Sequence, residues 1–496
     1  MRIAMKGVLA ALAAIAGSAH AAPPDRGDLA AAYLRFERAV ALAPKDAATR
    51  EQVNRTFDGL TGDFFAGRFD RALVTLAAAQ AALPGGAPRG ALEFLASNRA
   101  SLARRTGVVG LPFEVRCAFE PLDGMPAGSP PDAVVVRTPT EVLRTTYGAP
   151  FGRTVELRTP GTIVVEAEFP GGFTAEIARA FVLAKPVDEL RAGFEARVAA
   201  LATKGGVPDS TLVSLKARSA LLAESLERTR SAALLADLPS LADDLERELA
   251  AAERGDRPYA RAGDVWRMFK VLGTELPTRQ FVPEAKGPLP LLIAFHGAGG
   301  DENLFFDGYG GVLKSLASER GVAVVCPPTV PFGLSPAVLD RFIEEVARDI
   351  DIDRSRVLLV GHSMGAATAS RLASLRPKAV RGAACIAGFS DVERKEPPAA
   401  RRVWLAALDP LFALAPTQAS VEAAARRSPN IELTVVPHEG HTLVVGEVLA
   451  QAIDWLLALR SAKAEPTASA PSMIPMKTGV PAPAASVASP IAGPMK

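Results

Sequence analysis

The segment "LLVGHSMGAATA" (residues 358–369) passes from an apolar run into small residues through a serine flanked by glycines. The apolar run predicts a buried strand, and the residues after Gly365 predict a helix. Gly361 to Gly365 form the pattern G-x-S-x-G, which suits a strand-to-helix turn too tight for side chains. Such a turn raises the Ser363 hydroxyl above the sheet, beside a helix N-terminus that favours negative charge. We therefore predict that Ser363 is a catalytic nucleophile. The alternative is a glycine- and serine-rich turn without chemistry.

Residues 264–460, which surround this segment, alternate short apolar runs with stretches of helical periodicity. Continuous apolar strands separated by helices are typical of a mostly parallel sheet with helices on both faces. The sequence therefore predicts the α/β class for this region. The runs predicted as strands are "VWRMFKVL", "LPLLIAF", "VAVVC", "RVLLV", "AACIAGF", "VWLAAL" and "IELTVV".

Three segments precede this region. Residues 22–106 and 185–257 have helical periodicity, and residues 107–184 predict a small antiparallel β module because runs such as "FEVRCAF" alternate apolar and polar residues. The stretch "RGDRPYARAG" (254–263) is typical of a linker. We therefore place a domain boundary there and expect residues 258–460 to form a catalytic domain that folds on its own.

Both ends of the chain differ from the rest in composition. Residues 1–21 combine a basic start, the apolar run "VLAALAAIAG" and the small-x-small site Ala19-His20-Ala21, which together predict a cleaved signal peptide. Ten apolar residues are too few to span a bilayer, so we expect no integral membrane span after cleavage. The expected location is the periplasm or the cell exterior. Residues 461–496 are rich in Pro, Ala and Ser and are predicted to be disordered.

The overall composition excludes some classes of protein. The 496 residues carry a formal net charge of +2, and no cluster of Lys and Arg alternates with aromatic residues, so nucleic acid is not an expected partner. Three cysteines are too few for a disulfide framework. Cys326 and Cys385 lie in apolar runs and are predicted to be buried thiols. The sequence carries no signal for an oligomeric state.

A serine hydroxyl needs a base to take its proton. Of the five histidines, His20 is lost with the signal peptide. His362 adjoins the serine on the turn and should point away from it. His296 begins "HGAGG" (296–300) at the end of a strand, where an oxyanion role suits it better.

His438 and His441 remain, in the loop "VVPHEGHTLVV" after the last strand. His441 is favoured as the base, because it lies farther into the loop and just before the last helix. His438 is the alternative. The run "HEGH" also invites a zinc site, but the helical zinc motif has two residues between Glu and the second His, whereas one stands here. We therefore predict no metal.

The base in turn needs a carboxylate that fixes its tautomer. Asp409 follows the next-to-last strand and gives the chain order Ser, Asp, His; Asp391, after the preceding strand, is the alternative. An oxyanion needs backbone N–H donors. Met364, directly after the nucleophile, should supply one, and Ala298 or Gly297 the other.

Residues 264–460 resemble the α/β-hydrolases. The resemblance is carried by "PLPLLIAFHGAGGDE", "DIDRSRVLLVGHSMGAATA" and "PHEGHT". It is nearest to the bacterial esterase branch that includes polyhydroxyalkanoate depolymerase-like, feruloyl esterase-like and dienelactone hydrolase-like proteins. Those proteins often carry His-Gly four and three residues before the aspartate, where this chain has Leu405 and Ala406. The first 260 residues resemble no family that we can name.

We therefore expect an exported serine hydrolase that cleaves a small or polymeric carboxylic ester through an acyl-enzyme, without a cofactor. The first alternative is a serine peptidase on the same fold, because both reactions use the same three residues. The second is a binding or scaffold protein with a vestigial hydrolase domain, an alternative motivated by the large segments before residue 258. Fold alone names no substrate.

Overall fold

A computed structural model provides the structure of the protein. Its described residues up to Leu459 form one compact unit. The predicted signal peptide and the predicted carboxyl-terminal tail lie outside the described residues. In the described part, no helix combines the length and apolarity that crossing a membrane requires. The described residues are 22–148, 152–225, 227–228, 231–393, 398–412 and 414–459.

The described part of the chain begins with a bundle of five helices. Asp25 and Asp46 start the first two, because the Asp25 carboxylate accepts two backbone N–H groups of the first turn and the Asp46 carboxylate accepts one. The buried faces meet around Phe36, Phe57 and Leu73. The helices are α1 (Arg26–Leu42), α2 (Ala47–Gly59), α3 (Thr61–Phe65), α4 (Phe69–Ala81) and α5 (Arg89–Ser97).

A small β module follows the bundle. Its main sheet has the strand order β2-β9-β8-β5-β6, and β1-β4 and β3-β7 form separate pairs. The module begins at Asn98, before the predicted start, and the pair β2-β9 is parallel where an antiparallel module was predicted. The strands are β1 (Asn98–Leu102), β2 (Thr106–Val108), β3 (Phe113–Val115), β4 (Cys117–Pro121), β5 (Ala133–Arg137), β6 (Val142–Thr146), β7 (Arg153–Val155), β8 (Gly161–Glu168) and β9 (Thr174–Leu183).

A second helical segment leads to the large sheet. Three of its helices, α6 (Val187–Lys204), α7 (Asp209–Ser219) and α9 (Leu238–Arg254), pack around Leu215, Leu245 and Leu249, all fully buried. A left-handed Gly255 ends the last of them, as is common after a helix. The helices are α6 (Val187–Lys204), α7 (Asp209–Ser219), α8 (Ser231–Leu235) and α9 (Leu238–Arg254).

The large sheet has eight strands and confirms the predicted α/β class. Its order is β10-β11-β13-β12-β14-β15-β16-β17. The pairs β10-β11 and β11-β13 are antiparallel and all others are parallel. The strands are β10 (Gly263–Val271), β11 (Thr274–Val282), β12 (Leu289–Phe295), β13 (Ala323–Cys326), β14 (Ile352–His362), β15 (Gly382–Ile386), β16 (Ala400–Ala406) and β17 (Ile431–Val436).

Helices cover both faces of this sheet because its central strands are apolar on both sides. Along β12, Leu291, Ile293 and Phe295 point into one core, whereas Leu292 and Ala294 point into the other. The first core lies under α13 to α15, and the second under α11 and α16. The helices are α10 (Leu304–Asp307), α11 (Leu313–Arg320), α12 (Thr329–Leu334), α13 (Pro336–Asp349), α14 (Met364–Leu375), α15 (Leu414–Arg427) and α16 (Val444–Ala458).

Helix α7 covers the outer edge of β10. Side chains four residues apart on the helix reach alternate residues of the strand. Ser214 Oγ accepts a hydrogen bond from the N–H of Met268 at 3.1 Å and donates one to the Met268 carbonyl at 2.6 Å. Ser210 and Arg218 make the equivalent contacts one helical turn to either side. A helix rises about 6 Å in four residues and a strand about 6.6 Å in two, so the repeats match. The predicted linker therefore joins parts that bind each other closely, which argues against the independent folding expected for residues 258–460.

Candidate active site

The predicted nucleophile lies on the turn between β14 and α14. Ser363 has φ 56° and ψ −117°, a conformation that a residue with a side chain rarely adopts. Its N–H donates to the carbonyl of Ile386 at 2.9 Å, and its carbonyl accepts from Ala367 at 3.1 Å. The turn is thus held from the neighbouring strand and from the helix, which compensates for the strain.

The glycines around the serine are required by close backbone approach. A Cβ on Gly361 would lie 2.2 Å from the carbonyl oxygen of Gly365. A Cβ on Gly365 would lie 1.9 Å from that of Phe295, at the end of β12. Sequence analysis missed Gly388, where a Cβ would lie 2.4 Å from the Ser363 carbonyl oxygen. The G-x-S-x-G pattern therefore reflects the packing of the turn against the strand beside it.

Asp409 and His441 meet at the carboxyl end of the sheet. The Nδ1 atom of His441 lies 2.8 Å from Asp409 Oδ2, and both side chains are buried. The other carboxylate oxygen accepts the N–H groups of Leu411 and Phe412 at 2.8 and 3.0 Å. A carboxylate that accepts these bonds makes Nδ1 the protonated nitrogen and leaves Nε2 free to accept a proton.

Ser363 and His441 line one cavity. Among the described residues, no hydrogen bond joins Ser363 Oγ to the His441 ring. Catalytic hydrogen bonds of this kind are often long without substrate and shorten in the complex. The cavity is therefore lined by a serine and by a histidine whose Nδ1 is held by a buried carboxylate.

The two alternative residues are engaged elsewhere. Asp391 accepts hydrogen bonds from Arg401 at 2.8 Å and from Arg427 at 2.7 Å. His438 Nδ1 lies 2.7 Å from Glu51, and its side chain is 47% exposed. Neither residue lines the cavity of Ser363, so the structure brings neither of them to the serine. His438 and His441 also contact different carboxylates, so the two histidines of "HEGH" do not face one common point.

The other two histidines hold backbone in place. His362 Nε2 donates to the carbonyl of His441 at 2.9 Å, and Nδ1 therefore accepts from the Tyr309 hydroxyl at 2.7 Å. Burial lowers the pKa of His362 to about 3, so the ring stays neutral. His296 Nδ1 lies 2.8 Å from the Gly297 carbonyl, and its Nε2 accepts from Thr329 N–H at 3.3 Å. Both nitrogens of each ring are occupied, so neither ring is a free base.

The predicted oxyanion donors flank the serine. Gly297 and Ala298 line the cavity, and Met364 begins α14 directly after Ser363. Among the described residues, the N–H groups of Ala298 and Met364 have no hydrogen-bond acceptor. Arg26 of α1 holds the loop from above by donating to the Gly299 carbonyl at 3.0 Å.

Sequence analysis missed the contribution of α2 to this site. Asp58 Oδ2 accepts the backbone N–H of His441 at 2.8 Å. Asn54 donates to the His438 carbonyl at 3.1 Å, and Arg50 pairs with Glu439 at 2.6 Å. Burial raises the pKa of Asp58 to about 6. The one available signal was that Asn54 and Asp58 share the buried stripe of α2 with Val53 and Phe57.

The cavity over Ser363 has a volume of about 270 Å³. Its floor is the sheet side of the site, with the loop at residues 297–301, Ser363 and His441. Its opposite wall comes from α1, α3 and residues 231–235. The segments before residue 258 therefore close a site whose predicted chemical groups all lie after it.

Comparisons with known proteins agree with the topology. Residues 291–475 match the profile of the Alpha/beta hydrolase family, and the described residues of this segment, which end at Leu459, have the α/β-hydrolase fold. No curated protein sequence matches the chain.

Similar solved structures include two S-formylglutathione hydrolases and a feruloyl esterase module. The S-formylglutathione hydrolase of Staphylococcus aureus is 15% identical, and the match covers 40% of this chain and 98% of that protein, with a TM-score of 0.34. That of Agrobacterium tumefaciens is 17% identical, with coverages of 40% and 96% and a TM-score of 0.35. The module of Clostridium thermocellum is 12% identical, with coverages of 42% and 94% and a TM-score of 0.33. TM-scores this low add nothing to the fold assignment, which rests on the family match and the strand order.

Proposed function

We propose that the protein is a serine hydrolase that cleaves carboxylic esters through an acyl-enzyme. The observation that carries the proposal is the hydrogen bond between Asp409 and His441, which leaves Nε2 of His441 as the accepting nitrogen in the cavity that Ser363 also lines. A base with a fixed tautomer beside a serine on a strained turn is the arrangement that acyl transfer needs.

The reaction would proceed in two stages. Ser363 Oγ attacks the ester carbonyl carbon while His441 Nε2 takes the hydroxyl proton, and the backbone N–H groups of Ala298 and Met364 donate to the oxyanion. The tetrahedral intermediate then expels the alcohol, which receives the proton from His441. Water next attacks the acyl-serine, with His441 again acting first as base and then as acid. The products are a carboxylic acid, an alcohol and the free enzyme.

Hydrolysis of p-nitrophenyl esters tests the proposal. We expect turnover by the wild type, and a loss on the order of 10⁴-fold or more in Ser363→Ala, because residues of such a set act as a unit. Cleavage of peptide p-nitroanilides in preference to the esters would support the peptidase alternative. Failure of both substrate classes would support the vestigial domain.

Export is a separate proposal. It is supported by the basic start, the ten-residue apolar run and the Ala19-His20-Ala21 site of the sequence. Amino-terminal sequencing of protein recovered from a bacterial host tests it: we expect the mature chain to begin at Ala22 outside the cytoplasm. Protein that starts at Met1 and stays in the cytoplasm would contradict it.

A further inference from the structure

The amino-terminal helices give the cavity an apolar wall. Leu29, Leu34 and Phe64 line it from α1 and α3, and Leu234 lines it from α8. The mouth is apolar as well, because Phe65 is 59% exposed and Leu411 is 48% exposed. Exposing large apolar side chains to water raises the free energy, so an exposed group of them beside the proposed nucleophile indicates an apolar ligand.

Most charged groups near this wall are already paired. Arg228 binds Asp25 at 2.7 Å and Asp28 at 2.5 Å, and Asp307 lies 3.3 Å from Arg279. Paired charges of this kind offer little to a charged substrate group. Arg26 and Asp301 are the exceptions. Arg26 lies at the exposed rim and donates to the Gly299 carbonyl, and Asp301 accepts the backbone N–H of Asn303.

The wall contacts the loop that would bind the carbonyl oxygen of the ester. Gly299 belongs to the loop that would bind the carbonyl oxygen of the ester, and a Cβ on Gly299 would lie 2.3 Å from the ring of Phe64. The loop and the wall are therefore in direct contact. In the proposed reaction the alcohol leaves next to His441, because it takes its proton from that ring. The acyl chain is therefore the part of the ester that would extend from the loop along this wall.

We propose that the preferred substrates are esters of uncharged, apolar acyl groups of intermediate length, and that α1, α3 and α8 set this preference. The inference rests on the proposed function. The volume of about 270 Å³ is at the small end of ligand cavities, so it suits an aliphatic chain of intermediate length or one aromatic ring rather than a long chain.

A series of p-nitrophenyl esters tests the proposal. We expect kcat/KM to rise about fourfold per buried methylene from acetate towards hexanoate, and by at least tenfold over the series. A p-nitrophenyl hemisuccinate provides the charged comparison and should be hydrolysed more slowly than butanoate. A flat acyl series, or a preference for the hemisuccinate that Arg26→Gln abolishes, would overturn the proposal.

Two substitutions on adjacent residues locate the preference. Ala30 of α1 lines the cavity, whereas Ala31 is exposed on the outside of the same helix. Ala30→Phe should lower the hexanoate-to-acetate ratio of kcat/KM by at least fivefold, because the ring occupies the space of the chain, and Ala31→Phe should leave both rates unchanged. Leu34→Ala is the second cavity variant and should lower the same ratio. Equal ratios in all three variants would overturn the assignment to the wall.

Labelling with a small organophosphate distinguishes a failure of this inference from a failure of the proposed function. If Ser363 is labelled but the acyl series is flat, this inference fails and the proposed function stands. If Ser363 is not labelled and no ester is cleaved, the proposed function itself fails.

Discussion

The carboxylate of Asp58 accepts the backbone N–H of His441 at 2.8 Å, across 383 residues of sequence. The contact joins helix α2 to the loop that carries the proposed base. A Cβ on Gly440 would lie 2.1 Å from the same carboxylate, so the loop also needs a glycine to pass it. The site is therefore built from both ends of the chain, although its proposed chemistry comes from one.

The first prediction concerns the pH dependence of stability. Burial raises the pKa of Asp58 to about 6 from an ordinary value of 3.8. A raised folded-state pKa gives stability that is complete below the unfolded pKa and is lost as pH rises through the folded pKa. Asp58→Asn cannot ionise, so its melting temperature relative to wild type should rise between pH 4 and pH 7. The full effect corresponds to about 3 kcal/mol at most.

Asp46, at the start of the same helix, is the control. Its pKa is lowered by hydrogen bonds from the backbone and hydroxyl of Thr49, so its stabilising effect is lost as pH falls. The melting temperature of Asp46→Asn relative to wild type should therefore fall as pH rises from 3 to 5. A relative melting temperature of Asp58→Asn that is flat from pH 4 to pH 7 would show that Asp58 does not titrate as described.

The second prediction concerns the turn. Gly365→Ala should destabilise the fold by about 3 kcal/mol or more, because its Cβ would overlap the carbonyl of Phe295. Gly193 lies in α6 with open space around it, and Gly193→Ala should stabilise the fold by about 1 kcal/mol. Urea denaturation of both variants measures the difference. Equal stabilities would mean that the turn is looser than its geometry indicates.

Some strands of the large sheet could be predicted to the residue. The run "LPLLIAF" coincides with β12, because apolar side chains fill both faces of that strand. The run "IELTVV" coincides with β17, because turn residues stand at both of its ends. The strand β11 was missed, since its polar residues and Pro277 argue against a buried strand. Pro277 is tolerated because β13 pairs only with residues 279–281 of β11, beyond the proline.

The contribution of the amino-terminal helices could not be predicted. Periodicity shows that one face of α2 is buried, but it does not show what that face packs against. Asp58 and Asn54 find their partners in a loop near residue 440, and no local pattern encodes a contact over such a distance. For the same reason the edge contacts of Ser210 and Ser214 with β10 were not foreseen.

The third prediction concerns independence of the segments. Removal of residues 22–257 would expose the outer edge of β10 and remove the wall of the cavity. An exposed edge strand tends to pair with other chains. We therefore expect the fragment 258–459 to aggregate, or to have a kcat/KM at least a hundredfold below that of 22–459. A soluble fragment with full activity on a short ester would support the domain boundary expected from the linker.

The fourth prediction separates the acid and base from their alternatives. Asp409→Asn should lower kcat/KM by about 10⁴-fold, because an amide can leave His441 in the wrong tautomer. His441→Ala should have an effect of similar size. Asp391→Asn and His438→Ala should stay within about tenfold of wild type, since their partners are arginines and Glu51. The reverse order of effects in either pair would reassign that residue.

The most direct test of the central claim is the mass of the protein after reaction with a small fluorophosphonate, followed by peptide mapping. The account predicts one adduct per chain, on Ser363, absent in Ser363→Ala and formed far more slowly in His441→Ala. An adduct that persists in Ser363→Ala, or none on the folded wild type, would contradict it.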